Sequence, residues 1–297
     1  MRRNPPNEGS PGARFSLPWV VVSYFLICGG LCAAVAGYAL TRTQDPYVIA
    51  AALFVGAAVG GFLAGQASPH RSYAEPVLAA LLVVGSVVAF VYSTPLGRVL
   101  VEQHRDQVVR VAFELGGVGA LGGLLGAIVG EATQPAAHGV HTFGWVIQGI
   151  FISAGALFSA GILAALILLN EAAQAAVVQT WTGGGGAGQP LLSEDRLTLV
   201  AVVTGATASF LGGLITQLGA PRRALFPAAL GAALIMGGAV MGIGWAARRA
   251  TELVGAAAIV AAMAGVIALV GALISFLIGR ATGRLSSGGA PDLGRSE

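Results

Sequence analysis

Between Trp19 and Gly279 the chain carries eight apolar stretches long enough to cross a bilayer. They are Trp19 to Leu40, Tyr47 to Gly65, Pro76 to Tyr92, Val108 to Val129, Phe143 to Leu169, Leu197 to Leu218, Ala224 to Ala246 and Leu253 to Gly279. About 20 apolar residues span the hydrocarbon core, and a helix is the element that satisfies its own backbone there. Only 10% of the residues are charged, against about 25% in a soluble domain, so no sizeable water-facing domain can be assembled from what remains. The sequence therefore predicts an all-α polytopic membrane protein with eight transmembrane helices.

The same scarcity of charge excludes several functions. All 16 basic residues are Arg. Without a lysine there is no Walker phosphate-binding lysine, no Schiff-base lysine and no Ser–Lys dyad. The net charge of +3 is small and dispersed, with no basic patch interleaved with aromatics, so nucleic acid is not an expected partner. Cys28 and Cys32 lie one helical turn apart in the first stretch with no His or further thiol beside them, and read as small apolar residues of a helix. Neither a metal nor a cofactor is expected. The abundance of Arg, Ala, Gly and Val suits a GC-rich, bacterial genome.

Internal similarity organises the eight stretches further. GGFLAGQASPHR from Gly60 matches GGLITQLGAPRR from Gly212 in its Gly pair, its Pro and its closing Arg, and Pro76 matches Pro227. Arg98 and Glu102 match Arg248 and Glu252, and GGLL from Gly122 matches GALI from Gly271. In the first and fifth stretches, Trp19, Phe25, Gly29, Leu31 and Ala34 fall on Trp145, Phe151, Gly155, Leu157 and Ala160. The expectation is a tandem, parallel 4+4 repeat about an axis along the membrane normal. It divides the chain into a polar tail 1–18, a first repeat 19–130, a second repeat 143–279 with an inserted loop 170–196, and a polar tail 280–297. A first stretch with a counterpart later in the chain does not read as a cleaved signal peptide. The GGxLxxxxxP hairpin resembles one in uncharacterised bacterial multi-pass proteins, which implies no function.

Glycine marks the expected packing faces. Gly56/Gly60, Gly119/Gly123, Gly122/Gly126/Gly130 and Gly271/Ser275/Gly279 are spaced by four along the even-numbered stretches, and Gly212 and Gly213 hold the equivalent Gly pair in the sixth. Such rows let helix backbones approach closely, which drives association when the solvent is lipid. The even-numbered helices are accordingly expected to form the tight interior. Arg residues slightly favour the side that holds both termini, which points to cytoplasmic termini in a bacterial inner membrane.

One stretch departs from this apolar pattern. In RVLVEQHRDQVVRVAFE, Arg98, Glu102, Asp106, Arg110 and Glu114 fall every fourth residue. Thr94 followed by Pro95 reads as a helix cap with Pro at the first position, so this helix should start there and run into the fourth span, projecting beyond the membrane on the side opposite the termini. Arg98–Glu102 and Arg248–Glu252 are candidate rim ion pairs. Glu114 lies deeper, beside Phe113 and Leu115. An ionisable group at that depth is a candidate ion or proton site unless it simply pairs with Arg110. Gln66, Gln148, Thr204, Thr207, Thr216 and Gln217 are polar positions within or at the ends of spans, and Gln148, Thr207 and Gln217 join Arg110 and Glu114 as a candidate polar path. Glu131, His138 and His141 offer a thin metal-ligand set without a fourth member. GGGG at 183–186 lacks a following GK[ST] and reads as a flexible linker.

No intramembrane aspartyl pair, GxSG elbow, HExxH or dinucleotide fingerprint occurs, so an enzyme is not expected. Two functions fit what is present. One is a transport or channel-type protein for a small solute or ion, with its path at the interface of the two repeats. The other is a non-catalytic membrane subunit or scaffold assembling through small-residue helix faces. Besides the lipid bilayer, its partner would be a second copy of the chain or a membrane subunit. A polar cavity near the midplane between the repeats would favour the first, and a dry interface the second.

Overall fold

The structure is a computed structural model and describes residues 15–41, 46–68, 73–133, 142–182, 193–219, 225–246, 249 and 251–281. These form eight helices: α1 (Leu17–Thr41), α2 (Pro46–Ala67), α3 (Ala74–Ser93), α4 (Pro95–Ala132), α5 (Thr142–Thr182), α6 (Glu194–Gly219), α7 (Leu225–Ala246) and α8 (Val254–Ala281). All eight are long and apolar enough to cross a membrane, and the chain is a multi-pass membrane protein. Eight alternating crossings return the chain to the side on which it started.

The distribution of side-chain size follows from that solvent. Alanine contributes more of the buried apolar positions than any other residue, among them Ala57, Ala80, Ala156, Ala208 and Ala268. The large side chains point outward: Phe113 is 79% exposed, and Ile243, Trp245, Leu163 and Val266 all exceed 60%. In water this arrangement would forfeit the main driving force for folding. In hydrocarbon an outward Leu or Phe loses nothing, and small inward residues let the helices close on one another.

Glycine sets the closest crossings. A Cβ on Gly126 would overlap the carbonyl oxygen of Ala58, and one on Gly130 that of Phe62, so α4 lies directly on the backbone of α2. Gly61 meets the carbonyl of Gly123 in the same crossing. Gly213 and Gly271 do likewise between α6 and α8, against the carbonyls of Ala268 and Phe210. Gly56 and Gly60 pack on α1, at Gly30 and at Leu26–Ile27, and Gly212 on Ser153 of α5. Gly122 lies over Phe54, whereas Gly119 and Gly123 face Ala80 more loosely. Gly279 is half-buried.

The even-numbered helices thus make tight pairs, but only α2 and α6 among them share the interior. α1 occupies that place, touching α2, α3, α5 and α6. Trp19, Leu26, Leu63, Ile152 and Ile215 from α1, α2, α5 and α6 form one core cluster. α4 and α8 line the outside, where Leu121, Leu125, Val266 and Leu277 are exposed. The reason lies on α1 and α5, whose own glycines make the more central crossing: Gly29 abuts the Phe151 carbonyl and Gly155 the Phe25 carbonyl.

Two local features differ from the sequence reading. α4 starts where the cap predicts, with the Thr94 hydroxyl accepting from Gly97 N at 3.1 Å and Pro95 in the first turn. It then breaks at His104, whose backbone is non-helical (φ −134°, ψ 36°). α5 does not stop at Leu169 but continues to Thr182 through NEAAQAAVVQ, a run of good helix formers, so the first part of the expected inserted loop is helix. The GGGG linker lies outside the described residues.

Replacing Gly126 by Val is expected to destabilise the bundle by about 1–3 kcal/mol, because the Ala58 carbonyl has no room to retreat. Gly238→Val, where a Cβ meets nothing within 4 Å, is the control. Thermal unfolding of the detergent-solubilised protein, followed by size-exclusion fluorescence, would check this. Equal midpoints for the two variants would contradict it.

Candidate functional site

A cavity of about 500 Å³ lies among the first four helices and opens partly to the outside. Each of its four walls touches the next, in the order α1, α2, α4, α3 and back to α1. Gly30 closes on Gly56 between α1 and α2, and Gly122 on Phe54 between α2 and α4. The Thr94–Gly97 corner joins α3 to α4, and the Tyr24 hydroxyl donates to Ser86 Oγ at 3.2 Å between α1 and α3. Space remains because the lining residues are short: Ala57 on α2, Ala80 and Val84 on α3, and Ala112 on α4, while Val87 and Val111 of the same lining are exposed at its open side.

The cavity has a direction. Ile27, Ala80 and Gly119 form its inner end, near the middle of their spans. Val91 and His104 form its outer end, at the α3–α4 corner on the side opposite the termini. His104 and Gln107 supply the polar side chains of the lining, and both are exposed, so this end reaches the surface. The break in α4 at His104 falls on that rim. Everything deeper is aliphatic or Gly, which suits an apolar group and offers no ligand to an ion.

The seam between α1 and α5, where a polar path was expected, is closed at the Gly29–Phe151 and Gly155–Phe25 contacts. Of the expected path residues, Gln148 is 1% exposed with its Nε2 unpartnered among the described residues, and Gln217 is buried with its Oε1 likewise unpartnered. Thr216 is buried and donates to the Gly212 carbonyl at 2.7 Å. Thr207 is exposed on the outer face of α6, and Gln66 and Thr204 are half-buried.

Glu114 does not face the bundle. Its carboxylate accepts from Arg110 Nε at 2.8 Å, and both side chains are more than half exposed. The rim pairs are also arranged differently: Arg98 Nε donates to the Tyr92 carbonyl at 3.2 Å, and Glu252 approaches Arg249 at 4.0 Å. Arg248, His138 and His141 lie outside the described residues. The charged stripe lies on the exposed surface of α4, with Glu102 and Asp106 exposed as well.

One ionisable residue escaped the sequence reading. Glu75 is 1% exposed in the first turn of α3, where its Oε1 accepts from the backbone N of Ser16 at 2.7 Å. The acceptor sits at the N-terminus of α1, whose orphan amides favour a negative charge, so one carboxylate ties the start of α1 to the start of α3. Its signal was the Glu–Pro pair opening an apolar run, which reads as a loop boundary until the neighbouring helix is known. The cavity left a fainter trace, the valines 83, 84, 87, 88 and 91 at helical spacing on α3.

No protein-family model, curated protein or solved structure matches this chain.

Glu75→Ala is expected to cost about 1.5–3 kcal/mol, the range for a hydrogen bond to a charged group. It should also release the segment preceding α1, measured as faster proteolysis ahead of Leu17. Glu114→Gln, on the open surface of α4, should leave both the unfolding midpoint and the proteolysis rate where they were.

Proposed function

We propose that the chain is a transport-type membrane protein, not an enzyme, that takes up a small apolar or amphipathic molecule in the cavity walled by α1–α4. The observation that carries this reading is the cavity itself. Its volume of about 500 Å³ falls within the roughly 300–1,000 Å³ typical of small-molecule sites, and its lining is apolar with polar groups confined to one end. A path for a hydrophilic solute or ion between the two halves has less support, because backbone meets backbone at the α1–α5 crossing.

The 4+4 repeat belongs to this proposal. Its support is that the contacts among α1, α2, α4 and α3 recur in the same order among α5, α6, α8 and α7. Gly29 on Phe151 and Gly155 on Phe25 are reciprocal, as a twofold axis along the membrane normal requires. On this reading the correspondence of α4 with α8 slips by one turn from the sequence match. Gly126 on the Ala58 carbonyl has Gly271 on the Phe210 carbonyl as its equivalent, so Gly271 pairs with Gly126 and not with Gly122. The termini belong on the cytoplasmic face of a bacterial inner membrane, which puts the polar rim of the cavity on the outer side.

A second reading, a non-catalytic subunit or scaffold, draws on one specific feature. The charged, exposed turns of α4 from Arg98 to Arg110 present both signs on one helix outside the apolar band, a surface on which a partner subunit or a second copy would dock.

Filling the cavity separates the two readings. In lipid nanodiscs, Val84→Trp and Val87→Trp are expected to weaken binding of a compact naphthalene-type fluorophore at least about tenfold, or roughly 1.4 kcal/mol. Ile259→Trp, on the outer face of α8, serves as the control. Undiminished binding by both filled variants would remove the transport reading and leave the scaffold.

A further inference from the structure

We propose that the second half of the bundle opens to water on the side of the termini: the ends of α5, α6 and α8 part there and admit water molecules, while the matched ends in the first half stay shut. This holds whether or not the cavity among α1–α4 takes a ligand.

Five buried side-chain atoms carry no hydrogen-bond partner among the described residues: Trp145 Nε1, Gln148 Nε2, Ser153 Oγ, Gln217 Oε1 and Ser275 Oγ. All five belong to α5, α6 and α8, and none to the first four helices. They also share a level. α5 begins on the side of the termini, and α6 and α8 end there. At 1.5 Å per residue, each of the five lies within about 17 Å of its helix end on that side. Contacts gather them around α6. Ser153 packs on Gly212, and Thr216, one turn further, lies by Gly149 next to Gln148. On the other flank of α6, Gly213 meets Ala268 and Gly271 meets Phe210, so Gln217 and Ser275 fall on the next turn toward the same side.

Trp145 Nε1 and Gln148 Nε2 are donors, Gln217 Oε1 is an acceptor, and the serine hydroxyls are both. Left unpaired, such atoms weigh against the packed arrangement, and water can pair with every one of them. The packed helices close these atoms to solvent, so water reaches them when the helix ends separate. The crossings at Gly212 and Gly213 lie deeper and act as the pivot, so the opening ends there and does not traverse the bundle.

The first half differs in two independent ways. Val22 and Ile27 stand at the same spacing from Trp19 as Gln148 and Ser153 do from Trp145, and Gly65 stands to Gly60 as Gln217 does to Gly212. Val22 and Ile27 are buried in apolar clusters. The second difference is a latch. Glu75 ties the start of α3 to Ser16, ahead of α1, at 2.7 Å. Pro227 matches Pro76, and the residue before it, in the place of Glu75, is Phe226, which is exposed.

Radiolytic footprinting of the full chain in nanodiscs tests this, because hydroxyl radicals formed from bound water oxidise the side chains beside it. Trp145 and Trp19 are matched probes, each 8% exposed in the packed arrangement. Trp145 is expected to be oxidised about fivefold faster than Trp19, as a side chain in contact with bound water. Gln148→Leu combined with Gln217→Leu should bring Trp145 down to the rate of Trp19 and leave Trp19 unchanged. Equal oxidation of the two tryptophans in the unsubstituted chain would overturn the proposal, a comparison that needs no variant to fold. A fast Trp145 that the paired substitution leaves fast would overturn it as well, since the water would then not be held by these residues.

Discussion

A helix in hydrocarbon gains nothing by hiding a leucine, so what holds this bundle together is the approach of backbone to backbone. At Gly29, Gly126, Gly213 and Gly271 a carbonyl of the neighbouring helix occupies the space that any other side chain would need. At that separation dispersion contacts and weak Cα–H···O contacts run the length of a crossing, and few other favourable interactions are open to apolar helices in lipid. The rest of the architecture depends on this. Large residues are free to face outward because they are not needed inside, and the buried positions can be alanine because alanine interrupts nothing.

The cavity is the other side of the same arrangement. Small inward residues close a bundle only where the helices cross. Between crossings the helix axes diverge, and alanine and valine do not reach far enough to fill the gap. In the first half this happens above the Gly122–Phe54 contact, where α3 brings valines and α4 brings Ala112 toward the axis. Interiors of ordinary proteins carry few voids larger than a water. The space of about 500 Å³ here is no sealed void: Val87 and Val111 in its lining are exposed, so it opens at the side of the bundle.

The eight helices were legible in the sequence because a bilayer fixes both length and polarity, and the chain has little else. Thr94 and Pro95 announced the start of α4 because capping is a local matter. What was not legible depended on who meets whom. The glycine rows on the even-numbered helices were visible; Gly29 and Gly155 stood out as repeat counterparts, but no row spacing marked them as a crossing or set them apart from Gly37, which meets nothing. Their importance appears only when α1 and α5 are laid together, so the interior was assigned to the even-numbered helices, of which only α2 and α6 share it with α1 and α5. Glu114 drew attention by its depth in an apolar run, yet which side of a helix a lone charge faces is set by neighbours that one run does not reveal. Glu75, at the margin of another run, is the carboxylate that is buried.

The length of α4 has a mechanical consequence. Its 38 residues extend about 57 Å at 1.5 Å per residue if straight, nearly twice the roughly 30 Å hydrocarbon thickness. The surplus carries Arg98, Glu102, Arg105 and Asp106, which cannot be drawn into the acyl region, so this helix acts as a depth stop. Other spans can tilt to match a thinner or thicker bilayer, whereas the charged turns around His104 are held to the headgroup level. The depth of that end of the bundle is thereby insulated from changes in lipid composition.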